Sequence, residues 1–252
     1  MAWLGAFAIG LSLGLLGSGG SIVTVPVLVY LIGQDEKTAI AGSLFIVGAI
    51  AAAGGVQFAL RRVVDWRSVL LFGLPGMIGT YLGAWLGGMV SGTFQLAVFA
   101  VVMLLVAVLM FRQPVRAPAV GTRRKEWKVV LDGLVVGVLT GFVGVGGGFL
   151  IVPALVVLGG LPMHLAIGTS LVIIALKSFA GFVKYMDVLA DLGLTLDWSV
   201  LLLVSGVGIA GSIVGRRLGA RVPQARLRRV FAFFLVAIGV LILWQSVGGS
   251  IP

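Results

Sequence analysis

One pattern of glycines is written twice in this chain, and each copy interrupts a segment that is otherwise apolar. Gly14, Gly17, Gly19, Gly20, Pro26 and Gly33 recur as Gly141, Gly144, Gly146, Gly147, Pro153 and Gly160, each 127 residues later. The offset holds through Ala39-Ile40 and Ser43-Leu44, which return as Ala166-Ile167 and Ser170-Leu171. After a short slip, Asp65-Trp66 matches Asp197-Trp198, and Gly79, Gly83 and Gly87 match Gly211, Gly215 and Gly219. Two halves with a broken hydrophobic segment at the same place point to a membrane transporter whose site lies where the halves meet.

Composition identifies the solvent. Hydrophobic residues make up 60% of the 252, charged residues 10%, and the mean hydropathy is +1.20. A bilayer span needs about 20 apolar residues, and runs of this kind fill nearly the whole chain. The expected fold is an all-α polytopic membrane protein with no soluble domain. The N-terminal run lacks the basic start and small-residue cleavage site of a secretory signal. Its counterpart also returns at 128–158, so it is read as part of the fold. The absence of cysteine excludes disulfides, thiol catalysis and thiolate metal sites. A net charge of +10 would suit nucleic acid, but arginines in short loops are topology signals. The expected surroundings are lipid, with no nucleic-acid partner, cofactor or metal, and no enzymatic activity.

Hydropathy places spans near 38–60, 68–90, 94–111, 165–186, 198–219 and 230–246. Regions 1–33 and 128–160 do not fit this scheme. Each is apolar for about 30 residues, or roughly 45 Å as one helix, against a hydrocarbon core of about 30 Å. Each is also broken centrally, at Gly17-Ser18-Gly19-Gly20 and at Gly144-Val145-Gly146-Gly147-Gly148.

Charge decides whether these regions cross once or turn back. If each crosses once, the basic residues are divided between the two faces. If each turns back, Arg61, Arg62 and Arg67, the six from Arg112 to Lys128, and the six from Arg216 to Arg229 share one side. Fifteen of the eighteen basic residues then obey the positive-inside rule, leaving Lys37 and Lys184 opposite and Lys177 inside a span. Turning back gives each half an odd number of net crossings, so the halves insert in opposite orientations as inverted repeats. The first half is 1–111 and the second 128–252, each a glycine-broken hairpin followed by three transmembrane helices. The basic linker 112–127 lies in the cytoplasm, both termini lie outside, and the location is the cell inner membrane. The legs of the hairpins are open between re-entrant helices and thin full spans.

The interior suits an anion. The eight acidic residues all fall in loops or at span ends, which removes the usual equipment for proton relays or cation binding. The deep charge is positive: Lys177, on one helical face with Ser170 and Lys184 at intervals of seven. It is either a binding group near the bilayer centre or a side chain that snorkels to the interface. Unwound glycine backbone at the breaks can aim several N–H groups at one anion, aided by the dipole of the helix that follows. The candidate substrate-binding set is Gly17, Ser18, Gly19, Gly20 and Ser21 in the first half, with Gly146, Gly147 and Gly148 in the second. Ser43, Thr169, Ser170 and Lys177 complete it. For the hydroxyls of Ser43, Thr169 and Ser170, bonding back to their own helices is the alternative. For Gly79, Gly83 and Gly87, close helix packing is the better reading.

The motifs Gly17-Ser-Gly-Gly-Ser-x4-Pro26 and Gly144-Val-Gly-Gly-Gly-x4-Pro153, with Ala-Ile-Gly-Thr-Ser-Leu at 166–171, resemble the TauE/SafE family of sulfite and organosulfonate exporters. The resemblance covers essentially the whole chain. It implies an integral membrane transporter of sulfur-containing or related organic anions, with the glycine and Thr169-Ser170 motifs carried over. The first half departs from the pattern at Ala41-Gly42-Ser43, and Lys177 belongs to no family motif. The function expected is export of a small anion such as sulfite, sulfoacetate or a related sulfonate by alternating access. An ion-coupled importer of organic anions and a non-transporting membrane scaffold are the alternatives.

Overall fold

The long apolar runs form helices wherever glycine and proline leave them uninterrupted. The computed structural model describes residues 5–7, 9–11, 21–112, 125–158, 160–219, 233, 236–237 and 239–244, and no strand occurs among them. Helix α1 (Ser21–Pro26) continues as a π-helical turn, Val27–Leu31. Helix α2 spans Glu36–Leu60 and α3 spans Trp66–Gly88 with a π turn at Val69–Gly73. Then follow α4 (Gly92–Arg112), α5 (Glu126–Val143), and α6 (Gly148–Pro153) with its π turn Ala154–Leu158. Helices α7 (Met163–Asp191) and α8 (Trp198–Gly219) complete the labelled set. The three π turns each adjoin a proline, Pro26, Pro75 or Pro153. Pro75 lacks an N–H and crowds the carbonyl of residue 71, a conflict that the widened turn Val69–Gly73 relieves; the other two π turns follow their prolines.

Helices α2, α3, α7 and α8 each contain a stretch long and apolar enough to cross a membrane. The expected spans 38–60, 68–90, 165–186 and 198–219 fall on these four, and 94–111 falls on α4. The span expected at 230–246 lies partly outside the described residues. Aspartates start three of the helices. Asp35 accepts from the Lys37 N–H at 2.9 Å, Asp65 from the Ser68 N–H at 3.2 Å, and Asp197 from the Ser199 N–H at 2.9 Å. The repeated Asp-Trp pair is therefore a repeated N-cap.

Glycine contacts give the helix directions. Gly48 meets Ser178 and Phe179, Gly54 meets Leu171, and Gly168 meets Phe58 and the Val63 carbonyl, so α2 and α7 run antiparallel. Gly42 meets Leu201 and Gly208 meets Ile50, so α8 runs parallel to α2. Helix α3 runs parallel to both α7 and α5. Gly73 meets Ile173 and Gly76 meets Lys177, while Gly79 abuts Leu134 and Gly83 abuts Val138. The α3 face carrying Gly76, Gly79, Gly83 and Gly87 is buried, whereas Leu70, Leu74, Ile78, Leu82 and Trp85 are exposed. That is the membrane pattern, with small residues at the helix contact and large ones toward lipid. The packing expected of this glycine ladder is what the structure shows for Gly79, Gly83 and Gly87.

These directions fix the course of the second broken region. Helix α5 ends beside the start of α2, with Gly144 against Ile40, and α7 begins beside the end of α2. The chain must therefore come back between residues 144 and 162. Helix α5 has 18 residues, or about 27 Å. The return leg has only six plus five, roughly half the hydrocarbon thickness. Its counterpart, Ser21–Leu31, leads out to the Glu36 end of α2, whereas the return leg leads to the Leu60 end.

Candidate functional site

At the second break two glycines adopt backbone angles that other residues resist. Gly144 (φ 71°) ends α5 in the left-handed region. The Val145 N–H donates to the Thr140 carbonyl at 3.0 Å and the Gly144 N–H to the Gly141 carbonyl at 3.2 Å. This reciprocal pair is a Schellman closure. Gly147 (φ 72°) is left-handed again and opens α6. Between them the backbone of Val145 and Gly146 is unwound. Gly146 is fitted against Val47 of α2 and against Ile174 and Ser178 of α7. The break thus lies against the crossing of the two helices that correspond across the repeat.

The expected site residues disperse around this break. Gly17, Ser18, Gly19 and Gly20 lie outside the described residues, and Ser21 is buried as the first residue of α1. Ser43 does meet the break: its Oγ donates to the Gly144 carbonyl at 2.5 Å and to the Ile40 carbonyl at 2.8 Å. Gly148 is buried at the start of α6. Thr169 and Ser170 sit near the other end of α2. The Thr169 hydroxyl accepts from the Asp65 N–H at 2.9 Å, and the Ser170 hydroxyl donates to its own helix at the Ile167 carbonyl, 2.8 Å away.

Lys177 is the middle residue of α7 and is 1% exposed. Its Nζ has no hydrogen-bond partner among the described residues. The side chain lies along Gly76, and Nζ stands 6.0 Å from the centre of the Phe72 ring. This is burial and not snorkelling. Lys177 therefore points toward α3, while its neighbour Ser178 points toward α2 and the break. A comparison within the repeat sharpens the point. Ile50 stands 127 residues before Lys177 and fills the corresponding slot against Gly208 of α8. A hydrocarbon side chain therefore fits this slot, and packing alone gives no reason for an ammonium there.

Lys37, read from the sequence only as a charge on the face opposite the basic loops, has a structural role. The structure buries it at the start of α2, where Nζ donates to the Gly87 carbonyl, the Val90 carbonyl and Gln95 Oε1, each at 2.6 Å. Gln95 Nε2 in turn donates to the Phe142 carbonyl at 2.5 Å and to the Tyr185 hydroxyl at 2.6 Å. Helices α2, α3, α4, α5 and α7 are tied together at that end. The acceptors lie 50 or more residues away, and no local motif announces them. At the opposite end, exposed Arg61, Arg62, Arg67, Lys125 and Lys128 share a face, and Arg67 pairs with Glu126.

Known proteins match across nearly the whole length. The family model described as "Sulfite exporter TauE/SafE" matches residues 2–242. A "Probable membrane transporter protein" of Xylella fastidiosa is 34% identical over 245 residues, covering 94% of this chain and 92% of that one. The "Probable membrane transporter protein YunE" of Bacillus subtilis is 25% identical over 259 residues, covering 92% and 93%. No solved structure matches. With its membrane-length helices and a match over nearly every residue, this chain belongs to the TauE/SafE family of membrane transporters.

Proposed function

We propose that the chain exports a small sulfur-containing anion, such as sulfite or a sulfonate, by alternating access between two inverted repeats, 1–111 and 128–252. The observation that carries this reading is Lys177, a buried amine without a hydrogen-bond partner among the described residues, at the middle of a membrane-length helix. An isolated charge in a dry interior is expensive, and intramembrane ionisable groups are kept for function. An anion that reaches it supplies the missing partner. The inverted plan is supported by the antiparallel run of α2 and α7, which correspond in sequence, and by the opposite exits of their two short legs. In this plan the break at Gly146–Gly148 contributes to the site, with Ser43 at its flank. The basic face with Arg61, Arg67 and Lys125 is cytoplasmic under the positive-inside rule. Export then runs downhill, because an anion leaving an inside-negative cell gains about 2.3 kcal/mol per charge per 100 mV.

The test is uptake of labelled sulfite and sulfoacetate into proteoliposomes held at a positive interior potential. Wild type should transport, Lys177→Ala should lose at least about tenfold in rate, and Lys177→Arg should keep part of it. Equal transport by Lys177→Ala would remove the lysine from the site.

A further inference from the structure

Hydroxyls on membrane helices commonly satisfy themselves by bonding back to a carbonyl three or four residues earlier. Ser43, Thr80, Thr140, Ser170 and Ser212 all do so, each at 2.8 Å. Ser178 does not. It is fully buried, and its Oγ has no hydrogen-bond partner among the described residues. Its position is distinctive as well. A Cβ added to Gly48 would lie 3.3 Å from the Ser178 Cβ, so Ser178 stands where α2 and α7 cross. A Cβ added to Gly146 would lie 2.6 Å from the Ser178 Oγ, so the hydroxyl is aimed at the unwound backbone of the break. A buried hydroxyl left without a partner costs free energy, and each such group needs a reason.

We propose that the Ser178 hydroxyl and the unwound backbone at Gly146 form a substrate subsite for one oxygen of a small oxyanion. The Ser178 hydroxyl can donate, and the unwound backbone at Gly146 adds an N–H donor beside it, which suits an oxyanion. Val47 and Ile174 beside Gly146, and Phe179 beside Gly48, bring none of the oxygen ligands that a hard cation requires. The adjacent residue is Lys177, whose charge attracts an anion to this level of the membrane and repels a cation. The subsite deepens the transport reading above and rests on it. It also moves the hydroxyl contact from Thr169 and Ser170, which are already engaged, to a residue outside every motif of the repeat.

The chain has no cysteine, so Ser178→Cys places a single thiol of nearly unchanged size in the full-length protein. In proteoliposomes, sulfoacetate should slow N-ethylmaleimide labelling of the Ser178→Cys thiol but leave that of a buried control, Ser205→Cys, unchanged. Ser178→Ala should raise the half-saturating sulfoacetate concentration about tenfold while its maximal rate stays within about twofold. Wild-type concentration dependence in Ser178→Ala, with Lys177→Ala inactive, overturns the subsite and leaves the transport reading standing. Equal protection at both thiols also overturns it, because closure of the protein and not occupancy would then be the cause. If wild type moves no anion yet sulfoacetate protects only the thiol of Ser178→Cys, the subsite stands and the transport reading falls. With neither transport nor protection, both fall. Should Ser178→Ala fail to fold, the protection experiment decides.

Discussion

Two buried lysines sit in opposite circumstances. Lys37 has three acceptors for its three ammonium hydrogens, while the described residues offer Lys177 none. Removing each should therefore act on a different quantity. Lys37→Met strips a donor from two helix-terminal carbonyls and from Gln95. It should destabilise the fold by about 2 to 4 kcal/mol, read as a lower unfolding midpoint in detergent. An unchanged midpoint would mean that water replaces the lysine without cost. The depth of Lys177 in an apolar run was legible, but its burial was not, because a long lysine stem at that depth could also snorkel to the interface. Nor were the partners of Lys37, since Gly87, Val90 and Gln95 become its neighbours only when α3 and α4 fold back. Ser178 was invisible for another reason. A serine in an apolar helix normally bonds its own backbone, and only the position of Gly146 marks it as different.

At the scale of the element, the repeated glycines divide by environment. Gly33 and Gly144 both have positive φ, 78° and 71°. A Cβ at Gly33 would meet nothing within 4 Å, whereas one at Gly144 would collide with Ile40. Gly33→Ala should cost only left-handed strain, about 1 kcal/mol. Gly144→Ala adds overpacking at the hairpin turn and should cost about 3 kcal/mol or more. Comparison of the two unfolding midpoints tests this, and equal shifts would mean that the α5 turn yields easily. The repeat pattern showed that both glycines matter to the backbone and where the second long region breaks. It did not show which glycine is also hemmed in, because Ile40 is remote from Gly144 along the chain. The short π-widened return leg was likewise hidden, since hydropathy counts residues without sensing how far they rise.

For the molecule as a whole, the helix directions make a claim about sides. Arg61 and Lys125 share one end, and Ser91, in the turn between α3 and α4, lies at the other. The cysteine-free background allows a direct check. An impermeant maleimide added to intact spheroplasts should label Ser91→Cys, and should reach Arg61→Cys and Lys125→Cys only after permeabilisation. Labelling of all three from one side would contradict the arrangement of α2, α3 and α5. The distribution of basic residues favours turning back at the glycines, and the return of the chain after Gly144 agrees with it for the second region. The interlocking of halves was not legible, because α3 of the first half packs along α5 and α7 of the second.

On the inverted-repeat plan proposed above, matched helices that cross in opposite directions give a body that looks much the same when turned over. Its shape therefore tells an insertion machinery little about which way up to place it. That information rests with the few basic side chains at the Leu60 end, which pack against nothing in the core. Neutralising Arg61, Arg62 and Arg67 would then leave the helices intact and the molecule foldable, while weakening the charge bias that sets which way it enters the bilayer.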